Sequence, residues 1–270
     1  MRSASVGFQC PDCVKQGAAS VRPVVGAYGG TARHGAQPLA TFVLIGINLV
    51  MFVLTAGYAL TTFGSGGASY SRLFLHLAQL SSAPDNPVTG EGVAQGGYYR
   101  LLTACFLHFG ILHIALNMLC LWQLGPYLEQ VLGRLRFVAL YLIAGLGGSA
   151  LSYAAGPPLG ISAGASGCVF GLFGAYYVLQ RRRGLDAGSI TSTIALNLVF
   201  SFAVPGIDWR GHVGGLIAGG LMAAALVYAP KDRRTLVQAA GAAGVLLLVV
   251  AMVAVRTHDL NAATGGVLGG

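Results

Sequence analysis

Charge is what this chain has least of: of its 270 residues, 16 are Lys or Arg and 8 are Asp or Glu, 9% in all. Soluble domains carry about 25% charged residues. With 55% hydrophobic residues beside so few charges, the chain cannot build an ordinary solvated surface, which excludes a soluble globular domain. All eight carboxylates fall outside the apolar runs that read as membrane-spanning. Transporters usually keep carboxylates or broken helices near the bilayer midplane, so this pattern argues against that class. Cysteines number only five; Cys105, Cys120 and Cys168 lie in or beside apolar runs, and no disulfide framework is implied. No signal-peptide pattern is read here either, because the first long apolar run begins near Leu39 and continues too far for a cleaved segment. The formal charge of +8 does not point to nucleic acid, since the basic residues sit between apolar runs, where membrane orientation explains them.

Seven apolar runs are present, at about residues 39–62, 101–124, 137–155, 164–179, 190–203, 211–228 and 236–255. Most approach the length needed for a hydrocarbon core of ~30 Å. The expected fold is therefore an all-α, polytopic membrane protein. Residues 1–38 form a polar tail, 39–229 a membrane core, and 230–270 a loop, a seventh helix and a short C-terminal tail. Between the first two spans, residues 71–80 are apolar enough to lie on or in the interface. Placing the N terminus inside puts twelve of the sixteen Lys and Arg on the cytoplasmic side, among them Arg134, Arg136 and Arg181 to Arg183. That asymmetry predicts a multi-pass protein of the cell membrane with a cytoplasmic N terminus.

In the tail, Cys10-Pro11-Asp12-Cys13 supplies two thiolates at the spacing of half a tetrahedral zinc site, with only His34 nearby as a third ligand. The pair looks like the closing half of a zinc-ribbon-like module whose first ligands would lie upstream of Met1. Zinc enters only there; no cofactor is expected for catalysis.

The chemistry-bearing residues lie elsewhere. Ser166 sits in Gly164-Ala165-Ser166-Gly167, and His212 in Gly211-His212-Val213-Gly214-Gly215, each at the start of an apolar run. A small-residue stretch around a serine also suits ordinary helix packing. In the orientation above, however, the second, fourth and sixth spans all enter from the extracytoplasmic face. At ~1.5 Å rise per residue, His113, Asn117, Ser166 and His212 then share one depth in the outer part of the membrane. A serine hydroxyl needs a base to accept its proton, and histidine is the usual partner. Gly167 and Gly171 in one span, and Gly211, Gly215 and Gly219 in the other, let the two backbones approach. His113 and Asn117, spaced i and i+4, share a helix face and could aim donors at an oxyanion, together with the Ser166 N–H.

Three motifs carry a family resemblance. His108-Phe109-Gly110-Ile111-Leu112-His113-Ile114-Ala115-Leu116-Asn117 is similar to the HxxxxHxxxN signature of the rhomboid intramembrane serine proteases; Gly164 to Gly167 resembles their GxSG; Gly211-His212, Gly215 and Gly219 resemble their last core helix. The resemblance covers about residues 39–229. It implies a six-helix core, a Ser166/His212 dyad and an oxyanion hole including His113 and Asn117. It further implies cleavage of transmembrane protein substrates within the lipid bilayer near the extracytoplasmic face, with residues 200–207 and the fifth helix bordering the substrate entrance. Gly164, Gly167, Phe170, His108 and Gly215 are expected to support the site.

Phe170 stands where many relatives have a tyrosine packed on the imidazole, and Tyr99-Arg100 where Trp-Arg is usual. The seventh helix and the Cys10/Cys13 module lie outside the core resemblance. Asp208, four residues before His212, could orient the imidazole as a triad acid. A dyad is preferred, because Asp208 follows Pro205-Gly206 in an expected loop and the resemblance implies two catalytic residues. The alternative to an enzyme is a rhomboid-like protein that binds transmembrane clients without cutting them. Intact Ser166, His212 and Asn117 argue against it.

Overall fold

A computed structural model describes residues 2–3, 8–12, 28–29, 37–55, 70–83 and 90–268. Its helices are α1 (Leu39–Thr55), α2 (Arg72–Leu77), α3 (Arg100–Thr103), α4 (Ile111–Leu132), α5 (Arg134–Ala155), α6 (Ser166–Arg182), α7 (Gly188–Ala203), α8 (Trp209–Val227) and α9 (Arg234–Leu268). Four two-residue strands accompany them: β1 (Arg2–Ser3), β2 (Phe8–Gln9), β3 (Gln79–Leu80) and β4 (Ile161–Ser162), paired antiparallel as β1 with β2 and β3 with β4. The all-α, polytopic architecture is as expected. Helices α4, α5, α8 and residues 234–263 of α9 are long and apolar enough to cross a membrane, while α1 and α7 are shorter apolar helices.

Glycines set the middle of the bundle. Gly133, at φ 83°, is at once the C-cap of α4 and the N-cap of α5, so one residue in the left-handed half of backbone space reverses the chain. Helices α5, α6 and α8 then pack backbone to backbone. A Cβ on Gly148 would come within 2.7 Å of the Gly211 oxygen, one on Gly174 within 2.6 Å of the Leu216 oxygen, and one on Gly219 would overlap the Gly171 backbone. Between lipid tails no hydrophobic force draws helices together, so close van der Waals approach of small residues does that work. Around this triple, Leu140, Tyr141, Leu172, Leu179, Met222 and Leu226 fill the core with Leu121, Leu128 and Leu132 of α4.

Two elements depart from the expected spans. The second span does not start at residue 101: α3 and a 3₁₀ turn at residues 104–106 come first, and the membrane helix begins at Ile111. Gly110, in a fully extended conformation, interrupts the run. The buried Arg100 draws its start into the preceding loop, donating to the carbonyls of Glu91, Leu75 and Ala78 at 2.7 Å each. The same helix runs on through Pro126 to Leu132, so Glu129 lies inside it rather than beyond the span. Glu129 is buried because it serves the start of α1: it accepts from the Ala40 N–H (3.0 Å), the Thr41 N–H (2.8 Å) and the Thr41 hydroxyl (2.8 Å). A helix N-terminus leaves just such amides without partners, and its dipole favours a negative charge there. Asp259 likewise falls within α9, which at 35 residues outruns the expected seventh span.

Helix α9 lies along α5 and α8 and joins both ends of the molecule. At one end Gln238 donates to the Leu226 and Tyr28 carbonyls (2.9 and 3.1 Å) and accepts from Arg136 (2.8 Å). At the other, Asn261 donates to the Ala94 carbonyl (3.0 Å), and Val249, Val253 and Leu260 pack with Val93, Ala94 and Tyr153. Within the connection between α1 and α3, the described residues 70–83 and 90–98 are thus held against α3, β4 and α9. Helix α7 is the lightly attached element, with Ile190 and Ser201 as its buried residues.

Candidate active site

Ser166 is the first residue of α6 and is half-buried. Its backbone N–H belongs to the first turn, whose amides have no intrahelical acceptor. The entry to the helix is fixed by Gly164, whose φ of 150° suits glycine alone and whose N–H donates to the Ala104 carbonyl at 2.9 Å. A Cβ on Gly164 would meet the His113 ring at 2.8 and 2.9 Å and Ser166 Oγ at 3.4 Å. The serine hydroxyl and the His113 imidazole therefore flank one small space that only a glycine leaves open.

His212 is the fourth residue of α8. Its ring stacks on Phe170, one turn past Ser166, with centroids 4.2 Å apart and planes at 11°. Its Nδ1 lies 2.6 Å from Ser201 Oγ at the far end of α7. Among the described residues the Ser166 hydroxyl makes no hydrogen bond to the imidazole. Such contacts are often long before substrate binds. Gly167 and Gly215 let α6 and α8 meet at this level, since a Cβ on Gly215 would overlap the Gly167 backbone.

On α4, Asn117 is buried and donates from Nδ2 to the His113 carbonyl at 2.8 Å. The His113 ring lies parallel to Phe109 (6.1 Å, 11°) and edge-on to His108 (5.1 Å, 70°). His108 is 1% exposed and precedes α4, so it buttresses His113 from the connecting segment.

Asp208 turns out to be the N-cap of α8. Its Oδ1 accepts from the Gly211 N–H at 3.3 Å, while Oδ2 accepts from the Ser162 hydroxyl at 2.7 Å and from the Ser152 hydroxyl. These bonds tie α5, β4 and α8 together and leave the imidazole to Ser201. Of the N-terminal pair, Cys10 is exposed, and Cys13 and His34 lie outside the described residues; among the described residues no group of three or more His, Cys, Asp or Glu is gathered for a metal.

A serine at a helix start, a histidine stacked on an aromatic ring, and a second histidine beside the serine are groups of the kind that acyl transfer uses. Residues 95–230 match the family model described as Rhomboid domain. The chain belongs to the rhomboid family. It is 38% identical over 200 residues to rhomboid protease GluP of Bacillus subtilis, covering 72% of this chain and 36% of GluP. It is 32% identical over 217 residues to the mitochondrial RHOMBOID-like protein 6 of Arabidopsis thaliana, covering 71% of this chain and 69% of that one. To RHOMBOID-like protein 5 of the same plant it is 35% identical over 147 residues, which is 47% of that relative. The chain thus spans well under two thirds of GluP. The rhomboid match takes in His108, His113, Asn117, Ser166, Ser201 and His212, and leaves out Cys10, Cys13 and α9.

Sequence reasoning passed over Ser201, and over Ser152 and Ser162 as partners of Asp208. A serine four residues after Asn197 shows only the habit of bonding back to its own helix; that it also faces α8 is a tertiary fact.

Proposed function

We propose that this chain is an intramembrane serine endopeptidase that cleaves transmembrane segments of other proteins near the extracytoplasmic face of the cell membrane. What carries the reading is the meeting of three helices at one point: Gly164 opens a space shared by His113 and Ser166 Oγ, while Phe170 on the same helix as Ser166 holds the His212 ring. In this mechanism Ser166 Oγ attacks the scissile carbonyl as His212 takes its proton. The oxyanion receives donors from His113, Asn117 and the first-turn N–H of Ser166. His212 then returns the proton to the leaving amine. Water admitted from the outer side hydrolyses the acyl-enzyme with His212 again as base.

The N terminus is cytoplasmic in this reading, which sets Arg134, Arg136, Arg181, Arg182 and Arg183 on the inner side. Substrates enter past α7, the lightly attached helix. An intact helix hides its carbonyls in hydrogen bonds, so segments with small or helix-weakening residues near the cut are preferred.

The test is cleavage of a tagged transmembrane segment by the protein in liposomes. Wild type should cut it, and Ser166→Ala and His212→Ala should not, with insertion unchanged. Cutting by a folded Ser166→Ala protein would rule out Ser166 as the nucleophile, and a folded wild type that cuts nothing would make client binding without proteolysis the better account.

A further inference from the structure

The imidazole of His212 has a partner on its far side. Ser201 Oγ lies 2.6 Å from His212 Nδ1 and also 2.6 Å from the carbonyl of Asn197. A carbonyl oxygen can only accept, so the one hydroxyl proton of Ser201 is committed to Asn197. Toward the ring, Ser201 Oγ can then only accept, and the ring nitrogen facing it must carry a hydrogen. The bond is shielded: Ser201 is 2% exposed, and it is the buried residue at the His212 end of α7.

From this geometry we infer that Ser201 is a positioning residue, which holds the His212 imidazole in the Nδ1–H tautomer and leaves the Nε2 lone pair as the base for Ser166. The inference rests on the proposed Ser166/His212 pair and deepens it. A triad gives this task to a carboxylate, which fixes the tautomer and also stabilises the imidazolium. Here Asp208 is taken up by hydroxyls and by the α8 N-terminus. A neutral hydroxyl does the first part of the task and little of the second. Phe170 fixes the plane of the ring and Ser201 its rotation within that plane, so neither suffices alone.

The consequence differs in size from the loss of a triad acid. Ser201→Ala should lower kcat about tenfold, the scale of one neutral hydrogen bond, with KM nearly unchanged because Ser201 touches the base and not the substrate. Removing an orienting aspartate costs ~10⁴. The direct readout is the ring nitrogen spectrum of ¹⁵N-histidine-labelled protein in lipid, with His212 assigned by comparison with His212→Ala. Wild type should show a protonated Nδ1 and a bare Nε2, and Ser201→Ala should shift toward the opposite tautomer. A wild-type ring protonated at Nε2 overturns the inference whatever the variant does. So does a folded Ser201→Ala protein with unchanged kcat and an unchanged spectrum. If instead Ser166→Ala or His212→Ala still cleaves, the underlying catalytic reading fails, and that result is separate from either outcome at Ser201.

Discussion

Gly215 lies so close to Gly167 that a methyl group on it would overlap the Gly167 carbonyl, so α6 and α8 touch through bare backbone one turn below His212. This contact lets α6 and α8 approach closely on the helices that carry Ser166 and His212. Gly215→Ala should therefore force the helices apart, costing about 1–3 kcal/mol as overpacking does and lowering kcat more than it raises KM. Gly220→Ala on the same helix, where a Cβ meets nothing within 4 Å, should leave both activity and melting temperature near wild type. Equal losses in the two variants would mean that general helix effects, and not this contact, set the geometry.

Asp208 is expected to act on the stability of α8 and not on the proton relay. Asp208→Asn should keep most activity, and Asp208→Ala should lower stability by about 1 kcal/mol or more, as for a lost N-cap. Thermal unfolding in detergent beside single-substrate kinetics separates the two effects. A fall of ~10⁴ in kcat for Asp208→Asn, with normal melting, would make Asp208 a triad member.

Gln238 binds α9 to α5, α8 and the tail segment at Tyr28. Gln238→Ala leaves Arg136 without its side-chain acceptor there and should cost about 1–3 kcal/mol, the penalty for stranding buried polar groups. Because the site lies on other helices, kcat of the folded fraction should hold. Unfolding midpoints measured beside initial rates check both halves of this expectation.

Catalysis is expected to be indifferent to metal. Cleavage by protein treated with a strong chelator should match the untreated protein, and Cys10→Ser should have little effect on rate. Elemental analysis for zinc before and after treatment shows whether the tail holds any. A chelator-sensitive kcat would place a metal in the reaction and contradict the serine mechanism.

Much of this was legible in the sequence because a bilayer leaves few choices. Long apolar runs must be helices there, and glycines four apart in runs already bearing Ser166 and His212 pointed to the α6–α8 contact. Boundaries failed where polar side chains serve distant backbone. Arg100 pulls an apolar stretch out of the second span to satisfy the carbonyls of Leu75, Ala78 and Glu91, and Glu129 enters a helix to cap another. Hydropathy sees neither, since both depend on which segments meet. Ser201 was hidden for the same reason: its neighbour Asn197 is four residues away, whereas its partner His212 is reached only through the fold.

The central claim is that Ser166 is a nucleophile made reactive by His212. Fluorophosphonate labelling of the protein in liposomes, followed by intact mass and peptide mapping, tests it most directly. One adduct on the peptide containing Ser166, absent from Ser166→Ala and from folded His212→Ala, is the predicted result. An adduct on another residue, or labelling of Ser166 that persists undiminished in His212→Ala, would contradict it.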